Sequence, residues 1–148
     1  MSHVVRWMNS FAFWTRLVLW SLILHGVWEF FQCIFFYDMS GFNLLKGALW
    51  MLGATLTDTV ITLLLVAGAL WFHRRIPSVS FALALIFAGF LAAIGIETAA
   101  SLGEWWRYAP AMPQLHFVGV TLGLLPLLQM ALLPCLGAKF AKVKPLAR

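Results

Sequence analysis

Four long apolar runs, separated by short polar segments, dominate this sequence and constrain its fold. Each run holds the roughly 20 apolar residues that a helix needs to cross a bilayer. Inside lipid, only helices and closed barrels satisfy their own backbone hydrogen bonds. We therefore predict an all-α integral membrane protein, an antiparallel four-helix bundle joined by short loops. The expected spans cover about residues 17–37, 46–72, 79–103 and 117–137.

The composition agrees with a membrane protein that has little soluble mass. Hydrophobic residues make up 63% of the 148 residues and charged residues 10%, whereas soluble domains are about half apolar and about a quarter charged. We predict a single transmembrane domain over residues 1–148. Residues 1–16 mix Arg6 and Arg16 with aromatic side chains, which is typical of a segment lying in the membrane interface.

The distribution of lysine and arginine predicts the orientation in the membrane. One set of flanks holds only Lys46 and Arg107, and the other holds eight basic residues: Arg6, Arg16, Arg74, Arg75, Lys139, Lys142, Lys144 and Arg148. Because basic loops stay in the cytoplasm, both termini should be cytoplasmic, and we expect a bacterial inner membrane. The net charge of +5 thus follows from topology, and no basic element suited to nucleic acid is present.

Three carboxylates and a histidine lie inside the apolar runs, where no lysine or arginine shares their depth. They are His25, Glu29, Asp58 and Glu97, with one carboxylate in each of the first three runs. An ionisable group in hydrocarbon is costly and is kept where it has a partner or a function. Three acids from three helices therefore indicate a functional site.

These groups fall at a similar depth in their spans. Glu29, Asp58, Glu97 and Gln129 lie roughly 9 to 19 Å from the extracytoplasmic ends, at about 1.5 Å per helical residue. His25 and Glu29 are four residues apart, so they share one helix face. We expect one interior cavity that brings these side chains together.

Other polar and aromatic residues on the same faces are the predicted substrate-binding groups. Hydroxyl and amide side chains also join membrane helices by hydrogen bonds, and that structural role is the alternative for them. The predicted set is Trp28, Gln32, Thr59, Thr62, Thr98 and Gln129.

Three further patterns bear on packing around the cavity. Small residues on the third span, which include Gly89 and Gly95, should allow close helix contact. Pro126 in the fourth span should free the carbonyl of residue 122. Trp105, Trp106 and Tyr108 are predicted interfacial anchors, with capping of the cavity as the alternative.

A cluster of acidic side chains without a lysine or arginine nearby suits a reaction that transfers protons or develops positive charge. Such a cluster can donate a proton to a double bond and remove another, and it can stabilise a carbocation. Metal binding is the alternative, because His25, Glu29, Asp58 and Glu97 supply imidazole and hard oxygen ligands. The sequence contains no glycine-rich phosphate-binding loop, no Gly-x-Ser-x-Gly nucleophile motif and no His-Glu-x-x-His pair. We predict no cofactor.

Several of these residues match a known pattern. His25-x-x-x-Glu29, Asp58-Thr59 with Thr62, Glu97 beside Thr98, and Gln129 with Pro134 resemble the EXPERA-type four-helix proteins, which include emopamil-binding sterol isomerases and the sigma-2 receptor. The resemblance implies an intramembrane pocket whose acids protonate a sterol double bond. His25, Glu29, Asp58 and Glu97 would be its acid-base and cation-stabilising groups. The chain also resembles small bacterial four-span membrane proteins.

The leading hypothesis is an intramembrane acid-base enzyme, a double-bond isomerase or related hydratase or lyase. Its substrate would be a lipid, an isoprenoid or a sterol-like molecule. A cation, proton or metal transporter that uses the same acids is the first alternative. A non-catalytic lipid-binding or assembly protein is the second. The expected partners are the bilayer and a hydrophobic small molecule, and a homodimer is allowed.

Overall fold

The structure, a computed structural model, describes residues 11–142. Helices make up 75% of the described residues, in agreement with the predicted class. Each of its four long helices is long and apolar enough to cross a membrane, which indicates an integral membrane protein. The elements are α1 (Phe11–Phe36), α2 (Leu44–Arg75), α3 (Phe81–Gly103), β1 (Gln114–Phe117), β2 (Val120–Gly123) and α4 (Leu124–Ala141).

The first two helices extend beyond the predicted spans. Helix α1 begins at Phe11, so residues 11–16 of the predicted interfacial segment are helical, and residues 1–10 lie outside the described residues. No helix breaker separates this stretch from the apolar run. Helix α2 begins directly after Asn43, whose side chain accepts a hydrogen bond from the Lys46 amide at 2.8 Å, as an N-cap does. It ends at Arg75, two residues before Pro77.

The predicted start of the fourth span is wrong. Residues 114–123 form an antiparallel hairpin in which His116 pairs with Thr121. Its turn uses Val118 and Gly119, both at positive φ, a conformation that glycine adopts freely. Helix α4 therefore begins only at Leu124. Pro126 lies in its first turn, where a missing N–H costs nothing. No carbonyl is freed at residue 122, because that residue belongs to β2.

All four helices contribute to one apolar core near the end of the bundle that holds the described termini. Phe13 and Leu17 of α1 pack with residues of the other three helices, among them Val66, Leu85 and Ala138. The polar residues predicted for the site lie beyond this core, toward the hairpin. The core therefore fixes the helices at one end. The polar layer lies between this core and the loops at the hairpin end of the bundle.

Helices α3 and α4 are in close contact at Gly89. A Cβ atom added there would lie 2.0 Å from the backbone oxygen of Met130, whereas one added at Gly95 would meet nothing within 4 Å. The predicted close contact through small residues is thus confirmed at Gly89, and Gly95 has no part in it.

We expect Gly89→Ala to destabilise the protein and Gly95→Ala to leave it unchanged or slightly more stable. The added methyl at position 89 meets rigid backbone, and such overpacking costs about 1–3 kcal/mol. At position 95 the exchange gains helix propensity of about 1 kcal/mol. Thermal unfolding of both variants in detergent measures the difference, and equal melting temperatures would contradict the close contact.

Candidate functional site

The amide of Gln129 on α4 lies at the centre of the predicted site. Its Nε2 atom is 3.1 Å from His25 Nδ1, 2.8 Å from Glu29 Oε1 and 2.7 Å from Asp58 Oδ2. Side chains of α1 and α2 thus converge on one side-chain nitrogen that α4 carries. The predicted grouping of His25, Glu29 and Asp58 with Gln129 is present in the structure.

The number of available protons restricts how this cluster bonds. An amide nitrogen carries two protons, and the two shortest distances assign them to Glu29 and Asp58. His25 Nδ1 lies 3.6 Å from Asp58 Oδ2, which is too far for a hydrogen bond. Glu29 and Asp58 are thus held against the same amide nitrogen. Two carboxyl groups this close repel each other when both are ionised.

Thr62 holds the other nitrogen of the histidine. Its hydroxyl lies 2.9 Å from His25 Nε2, and both residues are fully buried. Gln129 lies at the other ring nitrogen, Nδ1. The two contacts together fix the orientation of the His25 ring.

A mostly apolar cavity of about 500 Å³ adjoins the acid pair. Its polar lining includes Glu29, Asp58, Glu97 and Gln129, and the remainder is largely aliphatic and aromatic. The Asp58 side chain is 19% exposed, whereas that of His25 is fully buried. Asp58 is therefore the member of the cluster that a molecule in the cavity would meet first.

Glu97 borders the same cavity but is bonded to other groups. Its Oε2 atom accepts hydrogen bonds from the Tyr108 hydroxyl and from the Gly123 amide, the latter at 2.9 Å. Gly123 is the N-cap of α4. Glu97 thus joins α3, the loop over residues 104–113 and the start of α4. None of these contacts reaches the acid pair Glu29 and Asp58.

Several predicted substrate-binding residues lie away from the cavity. Thr59 donates to the Thr55 carbonyl of its own helix at 2.8 Å. Trp28 donates to Gln32, and these two line a separate apolar groove between α1 and α4. Thr98 is half-buried and does not border the cavity. Among the predicted substrate-binding residues, only Gln129 lines the cavity.

The sequence analysis missed two aromatic residues that line the cavity, Tyr37 and Trp50, which lie beside the predicted anchors Trp105 and Trp106. Tyr108, the third predicted anchor, bonds to Glu97, and its ring centroid lies 5.4 Å from that of Tyr37. Tyr37 follows the end of α1, so no helical spacing links it to the acids.

The two tyrosine hydroxyls remain donors. Burial raises the pKa of Tyr108 above its usual range, and the hydrogen bond to the Glu97 carboxyl raises it further. Burial also raises the pKa of Tyr37 well above its usual range. Both phenols therefore keep their protons at physiological pH.

The metal alternative finds little support in this arrangement. Across residues 11–142, no group of three or more histidine, cysteine, aspartate or glutamate side chains could hold a metal ion. The point at which His25, Glu29 and Asp58 converge is filled by the Gln129 nitrogen, which carries protons and cannot be a ligand. The cluster is built around an amide donor.

Known proteins give no family for the chain. No family model, no curated protein and no solved structure matches it. The geometry of the site is therefore the basis for the function proposed below.

We expect Thr62→Val to destabilise the protein and Thr57→Val to have little effect. Both exchanges replace a hydroxyl by a methyl of similar size. Thr62 is the buried partner of His25, and leaving a buried nitrogen unpaired costs about 1–3 kcal/mol. Thr57 is exposed. Unfolding of the two variants in detergent measures this, and an unchanged Thr62→Val would show that the histidine has another partner.

Proposed function

We propose that the protein is an intramembrane acid-base enzyme, a double-bond isomerase or a related hydratase or lyase. The single observation that carries this proposal is the acid pair Glu29 and Asp58, held by Gln129 and open on one side to an apolar cavity. Proton transfer needs a donor and an acceptor near the reacting carbons. The cavity volume falls in the range of sites for small organic ligands.

In the proposed reaction, Asp58 begins protonated and faces the double bond. Its proton moves to one alkene carbon, and the positive charge that develops on the neighbouring carbon is stabilised by the Asp58 and Glu29 carboxylates. The acid pair then takes a proton from the next carbon, which forms the new double bond and returns the pair to its starting protonation state. Addition of one water molecule to the same cation, with loss of its second proton to the acid pair, would give the hydratase reaction. Gln129 holds the two carboxyl groups in place throughout.

The wall of the cavity favours a substrate that arrives from the bilayer. Leu49, Gly53 and Thr57 of α2 line the cavity and are exposed. Because they belong to a helix apolar enough to span a membrane, their exposed surface would face lipid. A lipid, isoprenoid or sterol-like molecule could thus pass between α2 and α3 without crossing the outer loop.

The proposal includes the membrane topology predicted from the basic residues. We propose an antiparallel bundle in a bacterial inner membrane, with both termini in the cytoplasm and the acid pair in the outer half. The resemblance to EXPERA-type proteins is part of the same proposal, and the meeting of His25, Glu29, Asp58 and Gln129 supports it. A homodimer stays a prediction.

Loss of either paired acid should abolish the reaction. A strain that lacks the protein is complemented with the unaltered protein, Glu29→Gln, Asp58→Asn or the control Asp38→Asn, whose carboxylate is fully exposed. Untargeted lipid analysis should show substrate accumulation in the deletion strain and in both site variants. The control variant should restore the normal lipid profile.

Two results would contradict the enzyme. Site variants that restore the lipid profile as fully as the unaltered protein would leave a non-catalytic lipid-binding role. Proton or cation flux in reconstituted vesicles that is lost in Asp58→Asn, with no lipid change in the deletion strain, would favour transport.

A further inference from the structure

Glu97 differs from the other two buried acids in what it contacts. Glu29 and Asp58 each accept a hydrogen bond from Gln129. Glu97 instead receives the Tyr108 hydroxyl and the Gly123 amide on a single oxygen, Oε2. The residue Glu97 is only 2% exposed. Its hydrogen-bond partners come from the outer loop and from the start of α4.

Tyr108 is the centre of the outer loop, residues 104–113. It forms an isolated β-bridge with Tyr37, and the neighbouring backbone bonds join Asp38 to Arg107 at 2.9 Å and Ala109 to Phe36 at 3.0 Å. Trp106 donates to the Tyr108 hydroxyl at 3.1 Å. The loop is thus attached to the end of α1 by its backbone and to α3 by one side chain.

The same loop closes the outer end of the cavity. Trp105 and Trp106 line the cavity on its inner side. Trp106 and Tyr108 also line a more polar cavity of about 360 Å³ on the other side, together with Arg107 and Gln114. Trp106, which lines both cavities, therefore lies between the apolar cavity and the more polar one.

We propose that Glu97 is a positioning residue that latches the outer loop over the cavity and keeps water from the acid pair. The carboxylate oxygen holds Tyr108, Tyr108 holds Trp106, and Trp106 covers the cavity. In this role Glu97 needs an acceptor oxygen and needs no ionisable proton. Glu97→Gln retains such an oxygen and should keep the latch, whereas an acid-base group would lose its function in that variant.

Cysteine labelling at Ala54 tests the latch directly. Ala54 lines the cavity, and Ala54→Cys is a small change. The full-length protein in nanodiscs is treated with a charged, water-soluble thiol reagent, and the modified residues are quantified by peptide mass analysis. Cys33 is buried and serves as an internal reference, because its modification would report a loss of fold.

We expect slow labelling at position 54 in the parent protein and in Glu97→Gln. Glu97→Ala and Tyr108→Phe should label about tenfold faster, a change that corresponds to about 1.4 kcal/mol and to the loss of one hydrogen bond. Glu104→Ala, which removes an exposed acid of the same loop, is the matched control and should match the parent.

Either of two results would overturn the latch. One is unchanged labelling in Tyr108→Phe, which keeps the ring contacts and should fold even where Glu97→Ala does not. The other is labelling in Glu97→Gln as fast as in Tyr108→Phe. The assay uses no lipid product, so a failed latch and a failed enzyme proposal give separate results.

Discussion

The hydrogen bonds of the Gln129 amide determine how the polar layer of this protein is arranged. A buried carboxyl group without a partner is strongly unfavourable in a membrane helix, and two in contact repel when both are ionised. One amide nitrogen on α4 reaches Glu29 on α1 and Asp58 on α2 at 2.8 and 2.7 Å. The pair can therefore stay buried, and three helices are joined at the depth where the cavity begins.

Two different structures support that layer from either side. Below it, apolar residues from all four helices form a packed core, and α3 and α4 meet backbone to backbone at Gly89. Above it, the outer loop and the hairpin occupy the space that a longer fourth helix would have filled. The result is a site that is rigid on the core side and bounded by aromatic side chains on the outer side.

Helical spacing predicted the inner part of the site well. His25 and Glu29 lie on one face because they are four residues apart, and the need to pair buried acids brings Asp58 and Gln129 to them. The spans were predictable from hydropathy for the same reason. Both inferences depend on the regular geometry of a helix, which the sequence displays directly.

The outer part of the site depends on contacts that no helical spacing reveals. The hairpin over residues 114–123 overlaps the start of the predicted fourth span at residues 117–123, which are apolar enough to extend a helix. Tyr37 and Tyr108 meet only because the loops are paired by backbone hydrogen bonds. Glu97 was grouped with the other acids by depth alone, whereas its direction on α3 gives it a different set of partners.

Carbodiimide labelling tests whether the acid pair Glu29 and Asp58 carries a proton and faces a cavity that is reached from lipid. Carbodiimides add to protonated carboxyl groups, and mass analysis identifies the modified residue. A lipid-soluble carbodiimide should modify Asp58, and a water-soluble one should modify only exposed acids such as Asp38. Equal modification of Asp58 by both reagents, or none by the lipid-soluble one, would contradict the account.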